Sequence, residues 1–203
     1  FIPLNFDVSD LPATKTALQT LPTDLRNHID VLVNNAGLAL GLEPADKTDF
    51  ADWQQMVNTN ILGLIHLTHE ILPFMVANND GYIINLSSTA GNYPYFGGNV
   101  YGATKAFVTQ FSLNLRADLV GKNIRVSNIE PGLCGGTEFS NIRFHGDDAK
   151  AAQVYDSVQY VTPQDIANMV AWLIEQPKHV NINRIEVMPT AQTFAGLKVV
   201  KDL

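Results

Sequence analysis

The sequence predicts an α/β protein built on a doubly wound parallel sheet with helices on both faces. Two observations indicate this fold class. Short runs that suit strands alternate along the chain with longer segments of helical pattern. The cores of the strand runs are apolar at nearly every position, which is typical of strands covered on both faces. The 203 residues fit one ordinary domain, and we predict a single domain over 1–203.

The predicted strands are five runs with largely apolar cores. They occupy residues 1–8, 29–33, 81–88, 123–130 and 183–189. Helices are predicted to begin near residues 10, 50, 99 and 163, and the two long ones cover 50–77 and 99–120. The middle of the first long helix is a candidate for a break. The least regular segment is 132–160, which we expect to form a lid over the substrate.

Composition and charge exclude several classes of function. The net charge is −7 and no cluster of Lys and Arg is present, which argues against a nucleic-acid surface. Cys134 is the single cysteine, so no internal disulfide can form and a reducing compartment, the cytoplasm, is expected. No stretch approaches the length of a membrane span, and we expect no membrane partner. His66 and His69 lack a third ligand, so no metal site is predicted.

Polar residues follow four of the predicted strands at the point where each strand ends. They are Asp7, the NNAG segment 34–37, Ser87 with Ser88, and Pro131 with Gly132. The carboxyl ends of parallel strands meet at one edge of the sheet, and ligands of open α/β sheets bind there. We therefore expect the functional site at this edge.

A tyrosine and a lysine on the second long helix are candidates for proton chemistry. Tyr101 and Lys105 are four residues apart and share a helix face. A nearby ammonium favours the phenolate and is expected to lower the pKa of the tyrosine toward neutral, as a general acid/base requires. Ser88, at the end of a strand, could meet a substrate oxygen beside the phenol. Asn60 lies inside a helix, where a buried amide needs a partner.

These motifs, in their order and spacing, resemble the short-chain dehydrogenase/reductase superfamily, whose fold is Rossmann-like. They are NNAG at 34–37, N-x-x-G at 60–63, Ser87-Ser88 with Ala90-Gly91, Y-x-x-x-K at 101–105 and Pro131-Gly132. More narrowly, the segments STAGNYPYFGGNVYGATKAF and EPGLCGGTEFSNIRF are similar to bacterial NADP-dependent 3-hydroxy acid dehydrogenases, which act on serine, L-allo-threonine and related acids.

The resemblance implies a role for each matching residue. Tyr101 would be the general acid/base, with Lys105 tuning it and bonding the nicotinamide ribose. Ser88 would polarise the substrate oxygen, and Asn60 would hold a water in a proton relay behind Lys105. The implied cofactor contacts are Asp7, Val8, Asn35, Ala36, Gly37, Tyr101, Lys105, Pro131, Gly132, Leu133, Thr137 and Phe139. The implied cofactor is NADP, with NAD as the alternative.

In this family a β-α-β unit precedes the strand that ends in Asp7-Val8, and it carries the glycine-rich turn that binds the pyrophosphate. The sequence contains no such pattern, since neither Gly97-Gly98 nor Gly135-Gly136 follows a strand and opens a helix. We therefore expect roughly 45 residues to be missing at the amino end, judged from the size of such a unit. The alternative is a chain that is itself truncated.

Arg143 is a candidate for binding a substrate carboxylate, because a guanidinium holds one with two parallel hydrogen bonds. It lies in the irregular segment after the presumed cofactor loop, and a solvated surface arginine is an equally good interpretation. With Ser88 and Tyr101 it completes the predicted substrate site.

The predicted function is interconversion of a small 3-hydroxy acid and its 3-oxo acid by hydride transfer to and from NADP. Two alternatives stay open: the same chemistry on another small alcohol or carbonyl, and a non-catalytic dinucleotide-binding protein. The two long helices carry more apolar residues than one sheet face can cover, and the resemblance implies that they pair between subunits. A homo-oligomer, in particular a homotetramer, is therefore expected.

Overall fold

The structure, a computed structural model, describes residues 1–194 and contains one parallel sheet. Its four strands are β1 (Val31–Asn34), β2 (Gly81–Leu86), β3 (Ile124–Pro131) and β4 (Arg184–Val187). They lie side by side in the order β1-β2-β3-β4, and every neighbouring pair is parallel. The predicted fold class is confirmed.

Eight α-helices connect and cover these strands within the described residues. They are α1 (Leu11–Thr20), α2 (Thr23–Asn27), α3 (Phe50–Val57), α4 (Leu64–Asn78), α5 (Asn99–Asp118), α6 (Phe139–Arg143), α7 (Asp148–Gln153) and α8 (Pro163–Glu175). Short 3₁₀ turns occur at Ala45–Lys47 and Thr89–Gly91. The helices α6 and α7 lie in the segment predicted to be irregular.

Two apolar cores lie on opposite faces of the sheet, as the buried strands require. On one face, Ile83 and Val126 pack with Leu18, Ile71 and Leu115 from helices α1, α4 and α5. On the other face, a second core is formed by strand residues and helix α8, namely Tyr82, Ile84, Leu86, Ile129 and Leu173. The sheet is therefore doubly wound.

Three asparagines occupy the same rung of the sheet. Asn34 pairs in register with Asn85, and Asn85 with Asn128. All three are buried, and the Asn34 amide donates to Asn85 Oδ1 at 2.8 Å. The Asn85 amide donates in turn to Ser112 Oγ on helix α5 at 2.8 Å. This polar row lies just before the strand ends that were predicted to carry the site.

The predicted first strand, residues 1–8, is wrong. These residues form no ladder with another strand, and the side chain of Phe1 is fully exposed. A β-strand needs a neighbour for its backbone hydrogen bonds, and none of the described strands pairs with this segment. The end of the segment packs closely against Gly63, where an added Cβ would lie 2.9 Å from the Val8 carbonyl oxygen, and Leu4 and Phe6 are partly buried.

The predicted long helix 50–77 is confirmed, including the break in its middle. Helices α3 and α4 are joined by a π-helical turn, Asn58–Gly63. The side chain of Asn60 in this turn is buried in the protein interior. From Phe50 to Asn78 the helix is long and apolar enough to cross a membrane by length and composition alone. The expectation that no stretch reaches this threshold is therefore wrong, although the core helices of soluble proteins also pass it.

Capping residues fix the helix starts that orient the site. Asp10 accepts from the Ala13 N–H at the start of α1. Thr162 and Asp165 form a reciprocal capping box at the start of α8, next to Pro163. Both starts agree with the predicted positions.

Candidate active site

A cavity of about 910 Å³ opens at the carboxyl edge of the sheet, where the site was predicted. Most of the predicted site residues line it. They are Asn35, Gly37, Ser88, Tyr101, Lys105, Pro131, Gly132, Leu133, Thr137, Phe139 and Arg143. The topology brings them together because the segments after β1, β2 and β3 all leave the sheet at this edge.

Four predicted site residues do not line this cavity: Asp7, Val8, Ala36 and Asn60. Asp7 is exposed, and its carboxylate accepts from the backbone and hydroxyl of Ser9, which lowers its pKa. Its predicted contact with the adenine and that of Val8 stay predictions.

Close backbone packing places the reactive tyrosine beside the end of strand β2. A Cβ added at Gly102 would lie 2.9 Å from the Ala90 carbonyl oxygen, and one at Gly91 would lie 2.7 Å from the Ala106 amide nitrogen. Only glycine fits at such approaches. The two glycines therefore let the turn after β2 rest directly on helix α5, with Ser88 and Tyr101 facing each other.

The Tyr101 side chain is only 8% exposed, and this burial dominates its electrostatics. Burial raises the pKa of Tyr101 to about 12, while the hydrogen bond with Ser88 lowers it, the Tyr95 phenol raises it and the Arg143 guanidinium lowers it. The expectation that Lys105 brings this pKa toward neutral is wrong in this structure. The cation that acts on the phenol is Arg143, and burial outweighs it.

Lys105 lies on the floor of the cavity with 6% of its surface exposed. Its Nζ donates to the Leu86 carbonyl at 2.9 Å and lies 5.9 Å from the centre of the Tyr101 ring. Burial lowers the pKa of Lys105 to about 8. A Cβ added at Gly37 would lie 3.2 Å from this Nζ, so the glycine of NNAG keeps the approach to the amine open.

Ser88 is held at the end of strand β2 by its neighbours in the chain. Its hydroxyl donates to the Pro131 carbonyl at 3.1 Å and accepts from the Ala90 N–H at 3.1 Å. The hydroxyl is thus fixed beside the phenol, where it can hydrogen-bond the oxygen of a substrate.

The buried amide of Asn60 has its partners within the protein. Its nitrogen donates to the Leu38 carbonyl at 2.8 Å and to Thr104 Oγ1 at 3.0 Å, and its oxygen accepts from the Leu38 N–H at 2.9 Å. Asn60 therefore fixes the loop after NNAG against helix α5. Its predicted place in a proton relay stays a prediction.

A buried ion pair underlies the cavity, and sequence reasoning missed it. The Glu130 carboxylate is fully buried and accepts from Arg184 Nε at 2.8 Å and Nη2 at 2.7 Å. It also accepts from the amides of Asn92 and Asn128, each at 2.6 Å. The sequence did offer a signal: Glu130 is a charged residue at the end of the predicted strand NIRVSNIE. A charge on a buried strand needs a partner of opposite charge.

Arg143 lies on the opposite wall of the cavity, on helix α6. Its guanidinium carbon is 5.3 Å from the centre of the Tyr101 ring and 5.9 Å from that of Phe139. Tyr95, a second residue that sequence reasoning missed, accepts from Arg143 Nη2 at 2.5 Å. Nothing in the local sequence around Tyr95 distinguishes it from a surface aromatic residue.

The cavity suits the nicotinamide end of a dinucleotide. Beside Gly132, the Leu133 N–H donates to the side-chain oxygen of Gln192 at 2.7 Å, so this N–H is able to donate to a primary carboxamide, the group that nicotinamide also carries. Ribose hydroxyls would find the Lys105 amine and the Tyr101 phenol on the floor. Among residues 1–194 no group of three or more His, Cys, Asp or Glu side chains could hold a metal ion.

Comparisons with known proteins agree with this geometry. The family model described as short chain dehydrogenase matches residues 1–147. The "Probable NADP-dependent dehydrogenase" of Haemophilus influenzae is 69% identical over 202 residues, covering 100% of this chain and 80% of that protein. The "NADP-dependent 3-hydroxy acid dehydrogenase YdfG" of Salmonella typhi is 58% identical over 193 residues, covering 95% and 77%.

A solved structure gives the same result. "The Closed form of serine dehydrogenase complexed with NADP+" superimposes with a TM-score of 0.94 and 55% identity, over 97% of this chain and 79% of that one. The family model covers more than half of the chain, and the relatives named above share more than half of their aligned residues with it. This chain belongs to the short chain dehydrogenase family.

Proposed function

We propose that the protein is an NADP-dependent oxidoreductase that interconverts a small 3-hydroxy acid and its 3-oxo acid. One observation carries the proposal: a serine, a phenol, an amine and a guanidinium converge on one cavity at the carboxyl edge of the sheet. The relatives named for NADP and 3-hydroxy acids, and the serine dehydrogenase structure with NADP+, support the same substrate class and cofactor.

The dinucleotide, when bound, supplies hydride transfer, and the protein supplies orientation and one proton. Ser88 hydrogen-bonds the substrate oxygen and holds it beside the phenol. Tyr101 as the phenol gives its proton to this oxygen when a carbonyl is reduced, and as the phenolate it takes a proton from this oxygen when an alcohol is oxidised. The high pKa of Tyr101 favours the protonated phenol, which is the form needed in reduction.

Arg143 gives the site its preference for acids. The carboxylate of a 3-hydroxy acid is one methylene away from the reacting carbon, so it must lie close to the phenol. The guanidinium carbon, 5.3 Å from the Tyr101 ring centre, is at a suitable distance. A guanidinium in a partly buried site binds a carboxylate through charge-assisted hydrogen bonds.

The test is a spectrophotometric assay with L-serine and NADP⁺, repeated with L-serine methyl ester. We expect NADPH to form with both substrates and the KM to be lower for the acid than for the ester. Turnover of the ester with equal KM would favour another small alcohol as substrate. Absence of NADPH formation from any secondary or primary alcohol would favour a non-catalytic dinucleotide-binding protein.

We further propose that the protein is a cytoplasmic homotetramer. The long helix from Phe50 to Asn78 supports this, because only 33% of its most apolar window is buried within the chain. Exposed apolar side chains on its surface include Phe50, Leu62 and Val76. A face of this kind needs a partner. Light scattering at micromolar concentration should report four chains per particle, and a monomer would contradict the proposal.

A further inference from the structure

Tyr95 touches Arg143, the cation on the wall of the cavity that is proposed to bind the substrate. Its hydroxyl accepts from Arg143 Nη2 at 2.5 Å, and its ring centre is 5.7 Å from the guanidinium carbon. The rings of Tyr101 and Phe139 lie at similar distances, 5.3 and 5.9 Å. The guanidinium is therefore surrounded by three aromatic rings, of which Tyr95 alone offers it a hydrogen bond.

The contacts of Arg143 leave part of its guanidinium available. Its Nε donates to the Gly41 carbonyl at a long 3.3 Å, and one Nη2 hydrogen goes to Tyr95. Within residues 1–194 no other hydrogen bond from this side chain occurs. A guanidinium has five N–H groups, so three remain, and a carboxylate needs two of them in parallel.

The loop that carries Tyr95 is built to hold its ring in place. A Cβ added at Gly98 would lie 2.7 Å from Tyr95 Cε1, so any larger residue would displace the ring. Gly97 has φ +78°, and a Cβ there would lie 2.1 Å from the Leu42 carbonyl oxygen. The pair Gly97-Gly98, which fits no phosphate-binding pattern, thus seats Tyr95 against Arg143.

We propose that Tyr95 is a positioning residue that sets substrate specificity through Arg143. Its hydroxyl fixes the rotamer of the guanidinium, so that the free N–H groups face a carboxylate placed at the phenol. Without that hydroxyl, the side chain keeps only the long bond to the Gly41 carbonyl and has more rotamers to choose from. This inference rests on the proposed function, since it assumes a carboxylate substrate.

The experiment compares Tyr95→Phe with the wild type on L-serine and L-serine methyl ester, at saturating NADP⁺. We expect the KM for serine to rise about three- to tenfold, which is part of the effect of a hydrogen bond to a charged group. The KM for the ester should change by less than about twofold, because the ester does not use the ion pair. The kcat for both substrates should stay close to that of the wild type.

A matched control comes from the same loop. Tyr93 is two residues earlier, and its hydroxyl donates to Glu186 at 3.1 Å, whereas the Tyr95 hydroxyl accepts from Arg143. Tyr93→Phe removes the same atom and should leave the ratio of the two KM values unchanged. A change in that ratio equal to the one in Tyr95→Phe would overturn the proposal.

The coupling is tested by adding Tyr95→Phe to Arg143→Ala. If Tyr95 acts through Arg143, the second substitution should cause no further rise in the KM for serine. Additive effects, or an equal loss on acid and ester, would mean that Tyr95 supports the loop and nothing more. A strong effect of Arg143→Ala with none from Tyr95→Phe would overturn the positioning role alone. No effect of Arg143→Ala would overturn this role together with the proposed binding of a carboxylate.

Discussion

The floor of the cavity and the wall that carries Arg143 are built in opposite ways. On the floor, Ser88, Tyr101 and Lys105 are at most 9% exposed, and each is set by the sheet or by helix α5. On the wall, Arg143 lies on a helix of five residues and is joined to the rest of the cavity by Gly41 and Tyr95. The comparison indicates that the side chains for proton transfer are held firmly by the sheet and helix α5. The side chain proposed to recognise the substrate is held by few bonds.

The largest expected effect concerns the ion pair beneath the floor. Glu130→Ala would leave Arg184 and two amides without their buried acceptor and should lower the free energy of unfolding by about 3 kcal/mol, the lower end for a broken buried pair because Arg184 is partly exposed. Denaturant titration measures this. The control is Lys47→Ala, which breaks a fully solvated pair with Asp46 and should hardly change the midpoint.

Tyr101→Phe tests the chemistry of the floor without disturbing its packing. The phenol hydroxyl is removed, so kcat should fall by about a hundredfold or more, while the dissociation constant for NADP⁺ should rise by much less because the other cofactor contacts remain. Stopped-flow kinetics and fluorescence titration give the two values. Retention of most of the wild-type rate would show that Tyr101 is not the acid/base.

The buried lysine predicts a pH dependence of stability. The pKa of Lys105 is about 8 in the folded chain against 10.5 as its ordinary value, so between these pH values only the unfolded chain binds the proton. The free energy of unfolding should therefore rise between pH 8 and 10 by about 2–3 kcal/mol from this group. Tyr101 has the opposite sign, but its window begins near pH 10.

The control is Lys105→Met. In this variant the rise in the free energy of unfolding between pH 8 and 10 should be absent, while all other groups titrate as in the wild type. Denaturant titrations of both proteins at pH 8, 9 and 10 give the difference. Parallel curves for the two proteins would mean that Lys105 keeps its ordinary pKa in the folded chain.

A smaller effect is expected from Arg143, on the wall of the cavity. Arg143→Ala should raise the KM for L-serine about ten- to a hundredfold, because it removes a charge-assisted hydrogen-bonded pair worth about 1.5–3 kcal/mol. Arg143→Lys should recover only part of it, since an ammonium cannot match two oxygens in a plane. Steady-state kinetics with the methyl ester provides the reference, because an equal loss there would indicate damage to helix α6 itself.

The features predicted correctly from the sequence are those that depend on local patterns of residues. The buried strands define the parallel sheet, and the four-residue spacing of Tyr101 and Lys105 places both on one helix face that reaches the cavity. The strand predicted at 1–8 failed, because apolar alternation cannot show whether a neighbouring strand exists. The balance between burial and charge at Tyr101 also depends on residues far away in the chain, among them Arg143.

Residues that act through distant contacts carried no local signal. Tyr95 meets Arg143 across 48 positions, and Glu130 meets Arg184 across 54. Such pairs are fixed by the packing of helix α6 and by the order of the strands. Neither the packing nor the strand order can be deduced from the periodicity or spacing of residues in the sequence.

The asparagine rung of the sheet has a consequence for how the active site is assembled. Val, Ile and Leu are nearly interchangeable partners, so aliphatic parallel strands could pair in several offsets. Asn34 and Asn85 remove that freedom between β1 and β2, because an offset would break the hydrogen bond between their buried amides, at a cost of about 1–3 kcal/mol. Once these two amides are level, the NNAG segment after β1 and Ser88 after β2 leave the sheet at the same height.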